Sequence, residues 1–361
     1  MIYNAPTKDM LFLIREWIGI DRLSSLPGFE EVDADLIEAV LEEAGKFASG
    51  ELLTINREGD EHGAVFNDGE VTTPPGFKEA YKNFIEAGWT SIDANPDHGG
   101  QGLPKLLQSM IDEILGATNV AFKLYTELSR GAYHCMAHAA SEEICDKYLP
   151  KLVEGTWSGT MCLTEPHAGT DLGLLKTKAT PAEDGTYKLS GEKIFITSGD
   201  HDLTENILHL VIARIDGAPA GTRGISLFLV PKFLVKEDGS LGERNGVQTA
   251  SIEHKMGIKA SATCSLVFND ATGYLLGEEN RGLAGMFKMM NLERITVGLQ
   301  GLGLSEIALQ NALDYAQERR QSKAPAPRPD EGAAADPIVY QPEMKRQLLT
   351  IRSQVEGARA L

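Results

Sequence analysis

The sequence is poor in the features that fix covalent or membrane architectures. Its four cysteines, Cys135, Cys145, Cys162 and Cys264, show no CxxC spacing and stand among apolar or small neighbours. That argues against a disulfide framework and for free buried thiols in a reducing compartment. Long apolar runs are missing too. The longest, such as GISLFLVP and HLVIA, fall far short of the ~20 residues that cross a bilayer, and no basic segment followed by an apolar one opens the chain. The expectation is a cytoplasmic protein without a membrane span. Positive charge is scarce: the net charge is −18, residues 1–280 carrying 23 Lys or Arg against 43 Asp or Glu and residues 281–361 carrying 11 against 9. Such an acidic body repels nucleic acid and anionic lipid, which need clustered cations.

What is present is a large core and two changes of period. With 361 residues and 42% hydrophobic content the chain can form two or three structural units. Up to about residue 155 apolar residues recur at helical steps, as in Leu11, Ile14 and Ile18, in Leu36, Val40 and Ala44, and in Ile111, Ile114 and Leu115. From Gly155 the pattern turns to short alternating runs rich in β-branched and aromatic residues, YKLSGEKIFITSG, ILHLVIARI, GISLFLVPKFLV and CSLVF. After Gly277 helical spacing returns, with Ile295, Leu299, Leu302, Leu309, Leu313 and Ala316 expected along one amphipathic helix ending near Arg320. A proline-rich loop follows, and a last helix begins near Pro342. The fold class is therefore α+β and multidomain: a helical domain over 1–155, an antiparallel β sandwich or barrel over 156–276, and a partial helical domain over 277–361. The last helix carries no terminal cap, so the chain is expected to stop partway along it.

Two stretches carry chemistry. In MCLTEPHAGTDLG, residues 161–173, Thr164 lies between small apolar residues and a turn, so its hydroxyl and neighbouring backbone N–H groups can face a planar ligand. In GEKIFITSGD, residues 191–200, Phe195 and Thr197 share a strand face, a ring beside a hydroxyl. Either stretch alone also describes an ordinary strand bounded by glycines. Other candidates weaken on inspection. GLQGLG at 298–303 has the spacing GxxGxG with no strand before it, so its glycines read as close helix packing rather than a dinucleotide loop. His134 and His138 share a helix face but lack an adjacent Glu and a third metal ligand. His167 has no sequence neighbour that would fix its tautomer.

Taken together and in this order, the two stretches resemble the flavin-binding segments of the acyl-CoA dehydrogenases. The resemblance extends through NREGDEHGAVF, GW at 88–89, NPDHGGQGLP, KMGIKASATCSLVF, GEENRGLAGMFKMMNLERITVGLQGLG and YAQERRQ. It is strongest to the long bacterial subgroup that includes methylmercaptopropionyl-CoA dehydrogenases. By that resemblance Met161, Cys162, Leu163 and Thr164 line an isoalloxazine, Gly169 and Thr170 lie beside the FAD phosphates and coenzyme A, and Phe195, Ile196 and Thr197 form the aromatic-x-Thr run against the flavin. Many members have Trp where this chain has Phe195, so an indole N–H is lost there. Asn291 and Arg294 match coenzyme A contacts, and Thr170 is shared between cofactor and substrate. Arg319 matches the arginine that reaches FAD pyrophosphate across a subunit interface, which implies a homodimer or homotetramer.

The implied chemistry is α,β-dehydrogenation of an acyl-CoA, fatty acyl or methylthiopropionyl in type, with electrons passed to an electron-transfer flavoprotein. The base is a Glu. In most of the family it falls on a late helix beyond Leu361; in some members it directly precedes the substrate-binding Arg, where this chain has Glu293. Glu293 is thus either the base or a helix residue paired with a neighbour, and the subgroup resemblance favours the latter. The alternative function is a non-catalytic flavin- or DNA-binding module, against whose DNA form the weak basic excess of residues 281–361 speaks.

Overall fold

The computed structural model describes residues 1–325 and 328–361. Its helices are α1 (Thr7–Phe12), α2 (Ile20–Ser24), α3 (Ala34–Phe47), α4 (Leu53–His62), α5 (Phe77–Glu86), α6 (Lys105–Thr118), α7 (Val120–Ala139), α8 (Glu142–Glu154), α9 (Gly282–Glu318) and α10 (Pro342–Ala360). A small hairpin, β1 (Val65–Asn67) and β2 (Glu70–Thr72), precedes the main strands. These are β3 (Trp157–Cys162), β4 (Lys178–Pro181), β5 (Tyr187–Thr197), β6 (Asn206–Ile215), β7 (Ile225–Pro231), β8 (Phe233–Val235), β9 (Leu241–Arg244), β10 (Val247–Ile252) and β11 (Thr263–Leu276). Two compact units divide the chain: Met1–Thr54 with Lys105–Val120 and Val297–Leu361, and Ile55–Pro104 with Ala121–Thr296.

The first unit is helical. Asp33 caps α3, its side chain accepting from the Leu36 N–H at 2.8 Å, a contact worth about 1 kcal/mol. The buried stripe of α3 is Ile37, Leu41 and Ala44, one position on from the expected Leu36 and Val40, and Leu36 is exposed. Ile37, Leu41 and Ala44 follow i, i+4, i+7 spacing and form the stripe that packs inward. On α6 the expected Ile111, Ile114 and Leu115 are all buried. The expected single stripe on α9 does not form: Leu302 and Ala316 are buried, but Ile295 is 60% and Leu313 39% exposed. Apolar residues stand all round this helix, so no one period selects a face. Gly303 is the packing glycine of GLQGLG, since a Cβ there would strike the Glu113 carbonyl of α6, whereas Gly298 and Gly301 face open space.

A buried arginine ties this unit together. Arg359 on α10, with its side chain 3% exposed, donates to Glu113 on α6 at 2.7 Å, to Glu306 on α9 at 2.6 Å and to Asp9 on α1 at 3.2 Å. Burial drives the Glu113 carboxyl above its usual range, while Arg359 opposes that shift. The proline-rich connection before α10 is held by a second arginine: Arg328 donates to Asp336 at 2.8 Å and to the carbonyls of Glu331 and Ala333.

The second unit is built on a seven-stranded sheet in the order β10-β11-β5-β4-β6-β3, with β7 pairing both β11 and β6. Most pairs are antiparallel, as the alternating runs imply, but β3 and β4 each lie parallel to β6. Strand β6 is buried along nearly its whole length because ILHLVIARI is apolar on both faces. Helix α7 is tied to the loop before β11 by Tyr125, whose hydroxyl donates to the Ala260 carbonyl and accepts from the Ala262 N–H, both at 2.9 Å. Two histidines are fully buried, His209 on β6 and His201 in the loop before it. His201 Nδ1 accepts from the Leu203 N–H at 3.2 Å, so Nε2 carries the proton and donates to Ser158 Oγ at 3.0 Å. His209 Nδ1 pairs with Thr160 Oγ1 at 2.8 Å. Burial, reinforced by the Lys232 charge, lowers both pKa values to about 3.

Two outcomes are expected. Arg359→Met leaves Glu113 and Glu306 without their cation and lowers stability by about 3–5 kcal/mol in chemical denaturation. The histidines bind protons more readily unfolded than folded, so their contribution is complete above pH ~6.5 and is lost on acidification at about 1.4 kcal/mol per pH unit each, down to pH ~3. Denaturation curves at pH 7 and pH 5 for the parent and for His209→Asn test this, the variant being the less acid-sensitive.

Candidate active site

The two chemistry-bearing stretches, some thirty residues apart in the chain, are stitched together. The Ile194 N–H donates to the Thr164 carbonyl at 2.9 Å. Next to it the Lys193 ammonium, wholly buried, donates to the Leu163 carbonyl at 2.9 Å and to Glu165 Oε1 at 2.8 Å. Glu165 also accepts from the Lys176 N–H at 2.6 Å, the Thr177 N–H at 3.1 Å and the Thr177 hydroxyl at 2.6 Å, closing the loop between residues 165 and 177. Burial raises the Glu165 carboxyl, but Lys193 and these donors outweigh it and hold the group below its usual range. Burial pulls Lys193 downward against the attraction of Glu165.

Phe195 does not sit in a regular strand. Lys193 pairs with Leu266 and Ile196 with Cys264, so two residues of β5, Ile194 and Phe195, oppose the single Ser265 of β11. This bulge holds Phe195 at φ +59°, a left-handed conformation that costs about 1–2 kcal/mol for a bulky residue, and leaves its ring 58% exposed. Ile196 beside it is buried in the sheet core, and Thr197 is half-buried. Cys162 and Leu163 are core side chains, so only their backbone can meet a ligand; Met161 and Thr164 are half-buried, and Gly169 and Thr170 are exposed in the loop that Glu165 closes. His167 has a fixing partner after all: its Nε2 lies 3.2 Å from the Leu174 carbonyl, which can only accept, so Nε2 carries the proton.

On α9, Arg294 Nη1 donates to Asn291 Oδ1 at 2.8 Å and the guanidinium lies 5.6 Å from the Phe287 ring centroid, an exposed set on one side of the helix. Glu293 points elsewhere. It is buried, its Oε1 meets no donor from the protein, and a Cβ on Gly131 of α7 would collide with that oxygen. Around it stand Glu127, Lys123 and Arg130 of α7, with Lys123 Nζ and Glu127 Oε2 2.5 Å apart and both side chains wholly buried. Burial first, and then the Glu127 charge, push the Glu293 carboxyl well above its ordinary range; Arg130 and Lys123 pull the other way. Arg319 belongs to the other unit, exposed just beyond α9 with its Nη2 3.4 Å from Gln321 Oε1.

Sequence reasoning missed Glu165, Lys193 and the α7 cluster. A signal existed for Lys193, which falls two and four residues beyond Gly191 and the buried Leu189 on the inward phase of β5. FKLYTELSR reads on paper as a solvated i,i+4 ion pair, and nothing local says that it is buried.

The acyl-CoA dehydrogenase N-terminal domain matches residues 35–156 and the middle domain residues 160–271. Over its full length the chain is 44% identical to 3-methylmercaptopropionyl-CoA dehydrogenase of Ruegeria pomeroyi, covering 61% of that protein. Among solved structures, butyryl-CoA dehydrogenase of Megasphaera elsdenii aligns with a TM-score of 0.73 at 28% identity, over 90% of this chain and 77% of that one. An acyl-CoA dehydrogenase of Bacillus anthracis, solved with FAD, aligns with a TM-score of 0.73 at 26% identity, over 91% and 51%. The chain spans about three-fifths of the length of the curated relatives that match it throughout. With both domains matched in order and the same fold recovered, the chain belongs to the acyl-CoA dehydrogenase family.

Proposed function

We propose that the protein containing this chain removes hydrogen across the α and β carbons of an acyl-CoA thioester with FAD as oxidant. The observation that carries the reading is Phe195, a large ring left open on a strained bulge beside the half-buried Thr197 and one hydrogen-bonded step from Thr164. Strain and exposed apolar area held together in this way fit a flat partner that covers the ring. When bound, the flavin supplies the hydride acceptor for the β-hydrogen.

The chain's own residues divide the remaining work. The backbone of Met161 to Leu163, Thr164 and Thr197 supplies polar contacts at the rim of the ring, and Gly169 and Thr170 lie open for phosphate oxygens. Arg294, steadied by Asn291 and lying beside Phe287, offers the fixed cation that a coenzyme A phosphate needs. Arg319 is read as the contact to FAD pyrophosphate across a homo-oligomer interface, and an electron-transfer flavoprotein is the proposed acceptor. Glu293 is read as a neutral, positioned acid rather than the base. Its carboxyl faces the buried α7 cluster of Glu127, Lys123 and Arg130, whereas Asn291 and Arg294 form an exposed set on α9.

Anaerobic titration of the flavin-loaded intact protein with acyl-CoAs of graded length is expected to bleach the yellow absorbance; no bleaching at any length would refute the function. Glu293→Gln is expected to keep the reduction rate within about tenfold, where loss of a general base costs about 10²–10⁴. The same variant reports on stability. A raised folded-state pKa stabilises fully below the unfolded value near 4.3 and loses that contribution as pH rises through the folded value, so Glu293→Gln should gain melting temperature relative to the parent at alkaline pH.

A further inference from the structure

We propose that Glu165 and Lys193 form a buried clamp whose task is to hold Thr164 and Phe195 in register as a cofactor-facing pair, Lys193 through the Leu163 carbonyl and Glu165 through the loop that carries Gly169 and Thr170. The inference rests on the flavin reading above and assigns positioning roles to two buried residues. Their geometry is specific. Lys193 grips the carbonyl directly before Thr164, and it lies two residues before Phe195 on the strand that bulges there. Glu165 follows Thr164 directly and gathers three donors from Lys176 and Thr177 as well as the ammonium, so one carboxylate closes the loop on itself. The Glu165 N–H and carbonyl add a tight turn with Ala168, at 3.0 Å in each direction.

A buried ion pair contributes little to stability compared with two apolar residues of similar volume, because desolvation offsets the attraction. What it contributes is uniqueness of arrangement: an ammonium that must find both a carbonyl and a carboxylate allows one alignment of the 161–165 segment against 193–197. A slip by one residue would turn the threonine and the aromatic ring to opposite sides of the sheet. The clamp thus supports a site composed of two separate pieces of chain, each with few fixed partners of its own.

The test compares the intact protein with Lys193→Met, Glu165→Gln and the double variant, measuring melting temperature without flavin alongside FAD affinity and the visible spectrum of bound flavin. Lys193→Met alone strands a buried carboxylate and is expected to melt early. The double variant removes both charges and should recover most of that loss. FAD affinity is expected to stay weakened about tenfold or more in the double variant, the scale at which supporting residues act on a bound group, with a shifted flavin spectrum. Affinity and spectrum that return to the parent's values together with melting temperature would overturn the proposal and leave the pair a structural element. If the variants do not fold, hydrogen exchange on the unaltered protein decides. FAD should slow exchange across 164–177 as well as 193–197, and protection confined to the latter would refute the clamp. A parent protein that binds no FAD would instead refute the flavin reading itself.

Discussion

The ion pair between Lys193 and Glu165 is the constraint on which the candidate site depends. It is out of water, it spans two segments that share no local sequence, and Lys193 finds its carbonyl and its carboxylate only when residues 163–165 are in place. The hydrogen bond from Ile194 to Thr164 runs beside it, and the bulge at Phe195 is set by the register of β5 with β11. Remove the charges and the sheet still has its apolar reasons to form, from Ile196 and Leu189 on β5 to Cys264 and Leu266 on β11. What it would lose is a reason to present Thr164 and Phe195 together.

The second unit contains two other ways of handling buried polarity. His201 and His209 stay neutral, each spending one ring nitrogen on a neighbouring hydroxyl. Glu293 and Glu127 are set against each other with Lys123 and Arg130 nearby, two cations facing two carboxyl groups. The first solution is rigid and chemically quiet. The second leaves a carboxyl whose ionisation answers to its surroundings, which is the sort of group that functional clefts collect.

Much of this was legible in the sequence, for identifiable reasons. The change from helical to alternating period places the strands because β6 and β7 consist of little but β-branched and aliphatic residues. Ile111, Ile114 and Leu115 were readable because α6 is amphipathic over its own length. The stripe of α3 lies one position on from Leu36 and Val40, since Leu36, Ile37, Val40 and Leu41 are all apolar and two overlapping stripes, Leu36–Val40–Ala44 and Ile37–Leu41–Ala44, both fit the helical period. Helix α9 gives no such stripe, because its apolar residues are spread around it. Thr164, Phe195 and Thr197 stood out in the sequence, but the bulge under Phe195 did not, because it is a property of register with a strand seventy residues later. Glu165 was hidden by its setting. Among turn residues in TEPHAGTD a glutamate reads as solvated, and only the distant Lys193 makes it internal.

That dependence on register has a consequence for biosynthesis. The bulge exists only where β5 meets β11, and β11 begins at Thr263, long after Thr164 and Phe195 have been made. A chain emerging from the ribosome can therefore fold its early helices on its own schedule, yet it has no finished docking face until that late strand arrives. On the flavin reading proposed above, the face that takes the ring is complete only once the sheet has been assembled.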